Sequence, residues 1–171
     1  ILLQPRVKIH LKNLKSNFKF IQSHIGDAKV MAVLKADAYG HGIIRIALEL
    51  EKESVHGFCV ALVKEIHDLI NVKIKKPILH LGRLPKTGLE IFENSQVRCT
   101  INSFDDIAKI ENYCAIQNKQ FITHLNIDTG MGRMGINFAD YKMVIDSIVK
   151  SKYLKLEGVY SHFSTAESNY Q

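Results

Sequence analysis

A lysine stands at the end of a short apolar run in Val30-Met-Ala-Val-Leu-Lys35, and the chain continues through Ala-Asp-Ala-Tyr39-Gly-His-Gly42. A run of this length reads as a buried strand, and the glycines beyond it as a turn. At the rim of a core, desolvation lowers a lysine's ammonium pKa and frees the amine for Schiff-base chemistry. The same position suits a lysine whose stem covers apolar surface while its head stays in water, and the lysine alone favours that plainer state.

Two further stretches hold reactive side chains. Gly130-Met-Gly132-Arg133-Met-Gly135 follows an apolar run and fits the glycine spacing of a dinucleotide fingerprint. In a fingerprint the last glycine lies inside the opening helix, whereas here helical signals begin later, with Asn137 or Asp140 as caps. The acidic residue expected at the end of the next strand is also misplaced, since Glu157 falls at that strand's beginning. Arg133 is more informative: flanking glycines allow close approach to a ligand, and a guanidinium grips a carboxylate or phenolate with paired hydrogen bonds. An exposed loop arginine is an equal alternative. His162, after Val159-Tyr-Ser161, suits stacking on a flat ligand or donating a hydrogen bond, although a satisfied core histidine is the commoner case. His41 reads as a loop residue. No H-E-x-x-H or other metal spacing occurs, and no metal is expected.

The elements that must carry these residues follow from periodicity. Residues 7 to 9 read as a short strand, then Leu14, Phe18 and Ile21 mark a helix. Strands are expected at 30–34, 57–62, 77–81, 97–101, 121–127 and 156–163. Between them fall helical stripes: Ile43, Ile46, Ala47 and Leu50; a weaker one in Val63, Ile66 and Ile70; a short one at Leu89 and Phe92; Ile107, Ile110 and Cys114, capped by Ser103; and Tyr141, Val144, Ile145 and Ile148. Six strand–helix units imply a parallel sheet, because parallel neighbours need a crossover and a helix is the usual one. A doubly wound sheet and a (β/α)8 barrel both fit, the barrel needing two more units. Lys35, Arg133 and His162 each fall at the carboxyl end of an expected strand, the face on which such folds build their sites.

Composition sets the class. At 171 residues, 46% hydrophobic, with mean hydropathy −0.03, the chain can bury a core. Its apolar runs fall far short of the roughly 18 residues a membrane span needs, and the amino terminus lacks a secretory leader, so a cytoplasmic protein is expected. Cys59, Cys99 and Cys114 are too few and too irregularly spaced for a disulfide framework or metal pair and read as core thiols. The net charge of +6 is spread along the chain without interleaved aromatics, so no nucleic-acid partner is expected. The chain begins at isoleucine, which suggests an incomplete translation product.

At these residues the sequence resembles the alanine racemase family. Ala32-Val-Leu-Lys35-Ala-Asp-Ala-Tyr39-Gly-His-Gly42 is similar to the family's pyridoxal-phosphate attachment motif. Asn126-Ile-Asp128-Thr-Gly-Met-Gly-Arg133-Met-Gly135 and Gly158-Val-Tyr-Ser-His162-Phe-Ser-Thr-Ala-Glu167 resemble its second and third signatures, in the family's order and approximate spacing. The resemblance spans essentially the whole chain. It implies a pyridoxal 5'-phosphate-binding (β/α)8 TIM-type barrel, with about six of eight units present in residues 1–171 as an incomplete N-terminal domain, and the family's C-terminal β-domain absent. It implies that Lys35 forms the internal aldimine and serves as one of two proton-transfer bases. Tyr39 would bind the cofactor phosphate, Arg133 the cofactor's phenolic oxygen and the substrate carboxylate, and His162 would pack against the pyridine ring. The implied reaction interconverts L- and D-alanine to supply peptidoglycan synthesis, in a homodimer.

Two departures qualify the match. Many family members carry a carbamylated lysine two residues before the signature aspartate, where this chain has Asn126, a neutral amide that leaves room for another anion such as chloride beside Arg133. Barrel strands seven and eight, and the tyrosine that acts as second base, are missing, so the isolated chain is expected to be inactive. The alternatives are a non-catalytic pyridoxal-phosphate homeostasis barrel and, third, a dinucleotide-binding oxidoreductase.

Overall fold

Apolar runs and helical stripes alternate along the chain, and they fold accordingly into parallel strands joined by helices. The structure, a computed structural model, describes residues 6 to 167, and its contacts group into two units that divide between Ile78 and Leu79.

In the first unit the helix Leu11–His24 buries Phe18, while Ile21 remains half exposed. Residues 7 to 9, expected as a strand, are irregular. Val7 is 85% exposed and Lys8 is exposed too, so the segment buries little to offset the cost of ordering it. Strand β1, Met31–Val33, pairs in parallel with β2, Gly57–Val60, with Ala32 opposite Phe58. All four residues of β2 are buried, the continuous apolar pattern of a parallel strand covered on both faces. The connecting helix Ile43–Glu51 buries Ile43, Ile46, Ala47 and Leu50, the stripe the spacing predicts. The helix Val63–Asn71 buries Ile66 and Leu69 together with one carboxylate, Glu65. Strand β3, Ile78–His80, lies at the division between the units and is fully buried.

In the second unit β4, Val97–Ile101, pairs in parallel with β5, Phe121–Asp128. Strand β6, Ile136–Asn137, and β7, Leu154–Ser161, also run parallel to β5. The two-residue β6 was not expected: it sets Ile136 opposite Ile127 and closes the glycine turn back onto β5. The helix Phe104–Gln117 starts as predicted, with the Ser103 hydroxyl accepting the Asp106 N–H at 3.3 Å. The helix Tyr141–Lys150 buries Val144 and Ile148. Phe92, from the short 3-10 helix Leu89–Glu93, packs 5.8 Å from Phe121, and Cys99, Ile110, Leu125 and Ile148 complete the core. Strand β7 ends two residues earlier than expected, which leaves His162 and Phe163 beyond it and exposed. No helix among the described residues is long and apolar enough to cross a membrane.

Candidate active site

Lys35 lies two residues past the end of β1, after buried Leu34, and is half buried, between the two states open to it from sequence. The residues after it could not be anticipated. Ala36, Asp37, Ala38 and Tyr39 all have φ between +52° and +54°, one turn of left-handed helix built from residues other than glycine. Each such residue costs about 1–2 kcal/mol because its Cβ crowds the following carbonyl, so the turn persists only where its surroundings hold it. Backbone strain of this kind concentrates at functional sites.

Several hydrogen bonds hold it. Leu34 N–H donates to Cys59 at 2.8 Å, tying the end of β1 to β2, and Ala38 N–H donates to Leu34 at 2.8 Å. Asp37 closes the far side: its carbonyl accepts Gly42 N–H at 3.0 Å, and its carboxylate accepts Ile43 N–H at 2.8 Å, capping the following helix. The His41 ring donates from Nδ1 to the Ala38 carbonyl at 2.9 Å, the local loop role its position suggests. Tyr39 rides on the same turn with its side chain 60% exposed. Leu14, Leu34, Tyr39 and Ile46 line an apolar cavity of about 340 Å³ beside the turn.

In the second unit Asp128 organises the glycine turn. Its carboxylate accepts Gly130 N–H at 2.9 Å and Gly132 N–H at 2.9 and 3.1 Å, and those amides hold its pKa below the usual carboxylate value. The turn ends at Gly135, where φ is +115° and a Cβ would lie 2.8 Å from the Asp128 nitrogen. Arg133 is exposed on this turn and lines a cavity of about 590 Å³ with Arg83, Lys86, Asn102 and Asp105, a wall rich in cations. Asn126 is buried beneath the turn and donates from Nδ2 to Asn102 Oδ1 at 2.9 Å.

His162 lies just past β7 and is exposed, not a satisfied core histidine. The structure brings its segment against the Arg133 turn: Thr129 and Ser161 are hydrogen-bonded through their hydroxyls, and the site of a Cβ on Gly130 is 3.5 Å from Ser164 Oγ. So Lys35 and Tyr39 share one turn in the first unit, while Arg133 and His162 occupy adjoining segments in the second. Each stands at the carboxyl end of a parallel strand. Chemically, an amine can condense with an aldehyde, a phenol can donate to a phosphate, and a guanidinium can neutralise a phenolate or carboxylate. Sequence reasoning missed Glu65, which accepts the Ala36 N–H at 2.6 Å. Its only signal was an acidic residue in the first turn of a helix whose stripe lies beside it.

The family model described as alanine racemase, N-terminal domain, matches residues 9–171. Curated relatives include alanine racemase of Francisella tularensis subsp. novicida (strain U112), 33% identical over 95% of this chain and 44% of its own length. Alanine racemase 1 of Caldanaerobacter subterraneus subsp. tengcongensis is 38% identical over 96% of this chain and 43% of its own. Among solved structures, alanine racemase of Clostridium difficile 630 superposes with a TM-score of 0.83 at 35% identity, covering 91% of this chain and 43% of that one. Alanine racemase from Bartonella henselae with covalently bound pyridoxal phosphate gives 0.82 at 25% identity, over 92% and 46%. The chain therefore spans less than half the length of the curated relatives it matches, and its strands and helices are those of an incomplete α/β barrel.

Proposed function

The chain belongs to the alanine racemase N-terminal domain family, and from that premise we propose that Lys35 holds pyridoxal phosphate for the interconversion of L- and D-alanine. The observation that carries the reading is the left-handed turn Ala36–Tyr39, strained backbone immediately after a half-buried lysine. When bound, the cofactor serves as electron sink for the carbanion left when the substrate Cα loses its proton.

The chain's own residues do the rest. Lys35 Nζ would anchor the cofactor and would move a proton at one face of the substrate Cα. Tyr39 Oη would donate to the phosphate, Arg133 would neutralise the phenolic oxygen and orient the substrate carboxylate, and His162 would pack against the ring. Asn126 is neutral and satisfied by Asn102, so charge balance at Arg133 falls to the cofactor, the substrate or a bound anion. Racemisation also requires a base on the opposite face of Cα. In this reading residues 1–171 are the N-terminal barrel portion, and the second base is a tyrosine of a C-terminal β-domain contributed across a homodimer. The protein would act in the cytoplasm, supplying D-alanine to peptidoglycan.

The test is conversion of L- to D-alanine with added pyridoxal phosphate. The intact protein turns over, Lys35→Ala does not, and the isolated 171-residue chain does not. An inactive intact protein, or an active Lys35→Ala variant, overturns the proposal.

A further inference from the structure

Glu65 is a carboxylate only 5% exposed, and both of its oxygens are committed to backbone. Oε1 accepts the Ala36 N–H at 2.6 Å, and Oε2 accepts Ala61 N–H at 2.9 Å and Leu62 N–H at 3.0 Å. Ala61 and Leu62 form the exit from β2 into the helix Val63–Asn71, while Ala36 is the first left-handed residue after Lys35. One side chain therefore links the carboxyl ends of two neighbouring strands, and it grips the backbone where the strained turn begins.

The chemistry explains why this residue is an acid. Three N–H donors converge on two oxygens, and only a carboxylate offers acceptors on both sides. Glutamine, of the same shape, would meet one set of amides with its own N–H2 and leave at least one donor orphaned. Burial of the charge is offset by these three charge-assisted bonds and by its place in the first turn of a helix, where the macrodipole favours a negative group.

We propose that Glu65 is a positioning residue for Lys35: it fixes the start of the left-handed turn and so sets where the lysine amine and the Tyr39 phenol are presented to the cofactor. This rests on the reading of Lys35 as the cofactor lysine. Without the bond to Ala36 N–H, the turn loses its tie to the helix Val63–Asn71, and the four residues relax toward ordinary φ values. The fold beneath, held by the β1–β2 pairing and the buried stripes, has no need of that bond.

The test uses the intact protein, as wild type and Glu65→Gln, with a Glu49→Gln control that alters the other buried carboxylate of this unit, one paired with Lys52 and Arg45. Backbone hydrogen exchange is read first. In wild type the Ala36 amide is protected, and in Glu65→Gln it exchanges faster by about ten- to a hundredfold while the β2 amides stay unchanged. The second readout is the visible circular dichroism of pyridoxal phosphate at saturation, which reports cofactor orientation and which a mere loss of global stability would not move. It falls in Glu65→Gln and holds in Glu49→Gln. A wild-type Ala36 amide that exchanges as freely as an exposed one overturns the clamp even if Glu65→Gln fails to fold. So does a folded Glu65→Gln with unchanged exchange and unchanged dichroism. Wild-type protein that acquires no phosphopyridoxyl label at Lys35 on borohydride reduction overturns the cofactor reading instead, and the exchange result is unaffected by that outcome.

Discussion

Replacing Gly135 by alanine should cost far more than the same replacement three residues earlier, although both glycines belong to one turn. At Gly132 φ is +67° and a Cβ would meet nothing within 4 Å. The penalty there is that of an ordinary left-handed residue, about 1–2 kcal/mol. At Gly135 φ is +115°, and the added Cβ would lie 2.8 Å from the Asp128 nitrogen and 3.1 Å from the Ile127 carbonyl carbon. Those atoms are main chain of β5 and cannot rotate aside. To a backbone penalty of about 1–3 kcal/mol is added an overpacking term of about 1–3 kcal/mol, so Gly135→Ala should lose roughly 2–6 kcal/mol out of a typical 5–15. Urea denaturation reads the difference as a shift in midpoint at constant slope. The damage should also reach function, because Asp128 organises the turn that carries Arg133. If Gly132→Ala costs as much as Gly135→Ala, or Gly135→Ala costs less than about 1 kcal/mol, the described course of this turn is wrong.

Two further predictions concern charge and thiols. Arg98 donates to Glu157 from Nε at 2.7 Å and Nη2 at 2.8 Å, and with His124 this holds the Glu157 carboxyl down at about 2 against burial, which raises it. Its folded pKa is the lower one, so the stability it contributes is present above the unfolded value near 4.5 and is lost as pH falls toward 2. At a carboxylate 37% exposed, solvent screening leaves an effect of order 1 kcal/mol. Glu157→Gln should flatten acid unfolding across that window, and an unchanged pH profile would contradict the pair's role. Cys59, Cys99 and Cys114 are buried, and burial pushes the Cys59 and Cys114 thiols up to about 11 and Cys99 higher still. In native protein at neutral pH these three thiols should resist Ellman's reagent and react once the protein is unfolded; rapid native reaction at any of them would refute this packing.

Much of the candidate site was proposed from sequence because reactive residues occupy punctuated places. Lys35, Arg133 and His162 each follow an apolar run, and glycines beside the first two mark turns. One strand was legible for a related reason: a parallel strand buried on both faces reads as an unbroken apolar run, as β2 does. The left-handed turn was not legible, because Ala-Asp-Ala-Tyr contains no glycine and its local preferences point to right-handed conformations. Glu65 was hidden because an acid in the first turn of a helix ordinarily faces water, and only the fold shows three amides converging on it. The end of the last strand was misplaced in the other direction, since the apolar character of Val159 and Tyr160 extended it past Ser161, and His162 lies exposed beyond it.

The central claim is that Lys35 carries the cofactor. The most direct measurement is to add pyridoxal phosphate to the intact protein, reduce with borohydride, digest and locate the label by mass spectrometry. The account predicts a single dominant phosphopyridoxyl adduct on the peptide containing Lys35, absent from Lys35→Ala. Labelling scattered over surface lysines, or a dominant adduct that survives in Lys35→Ala, would contradict it.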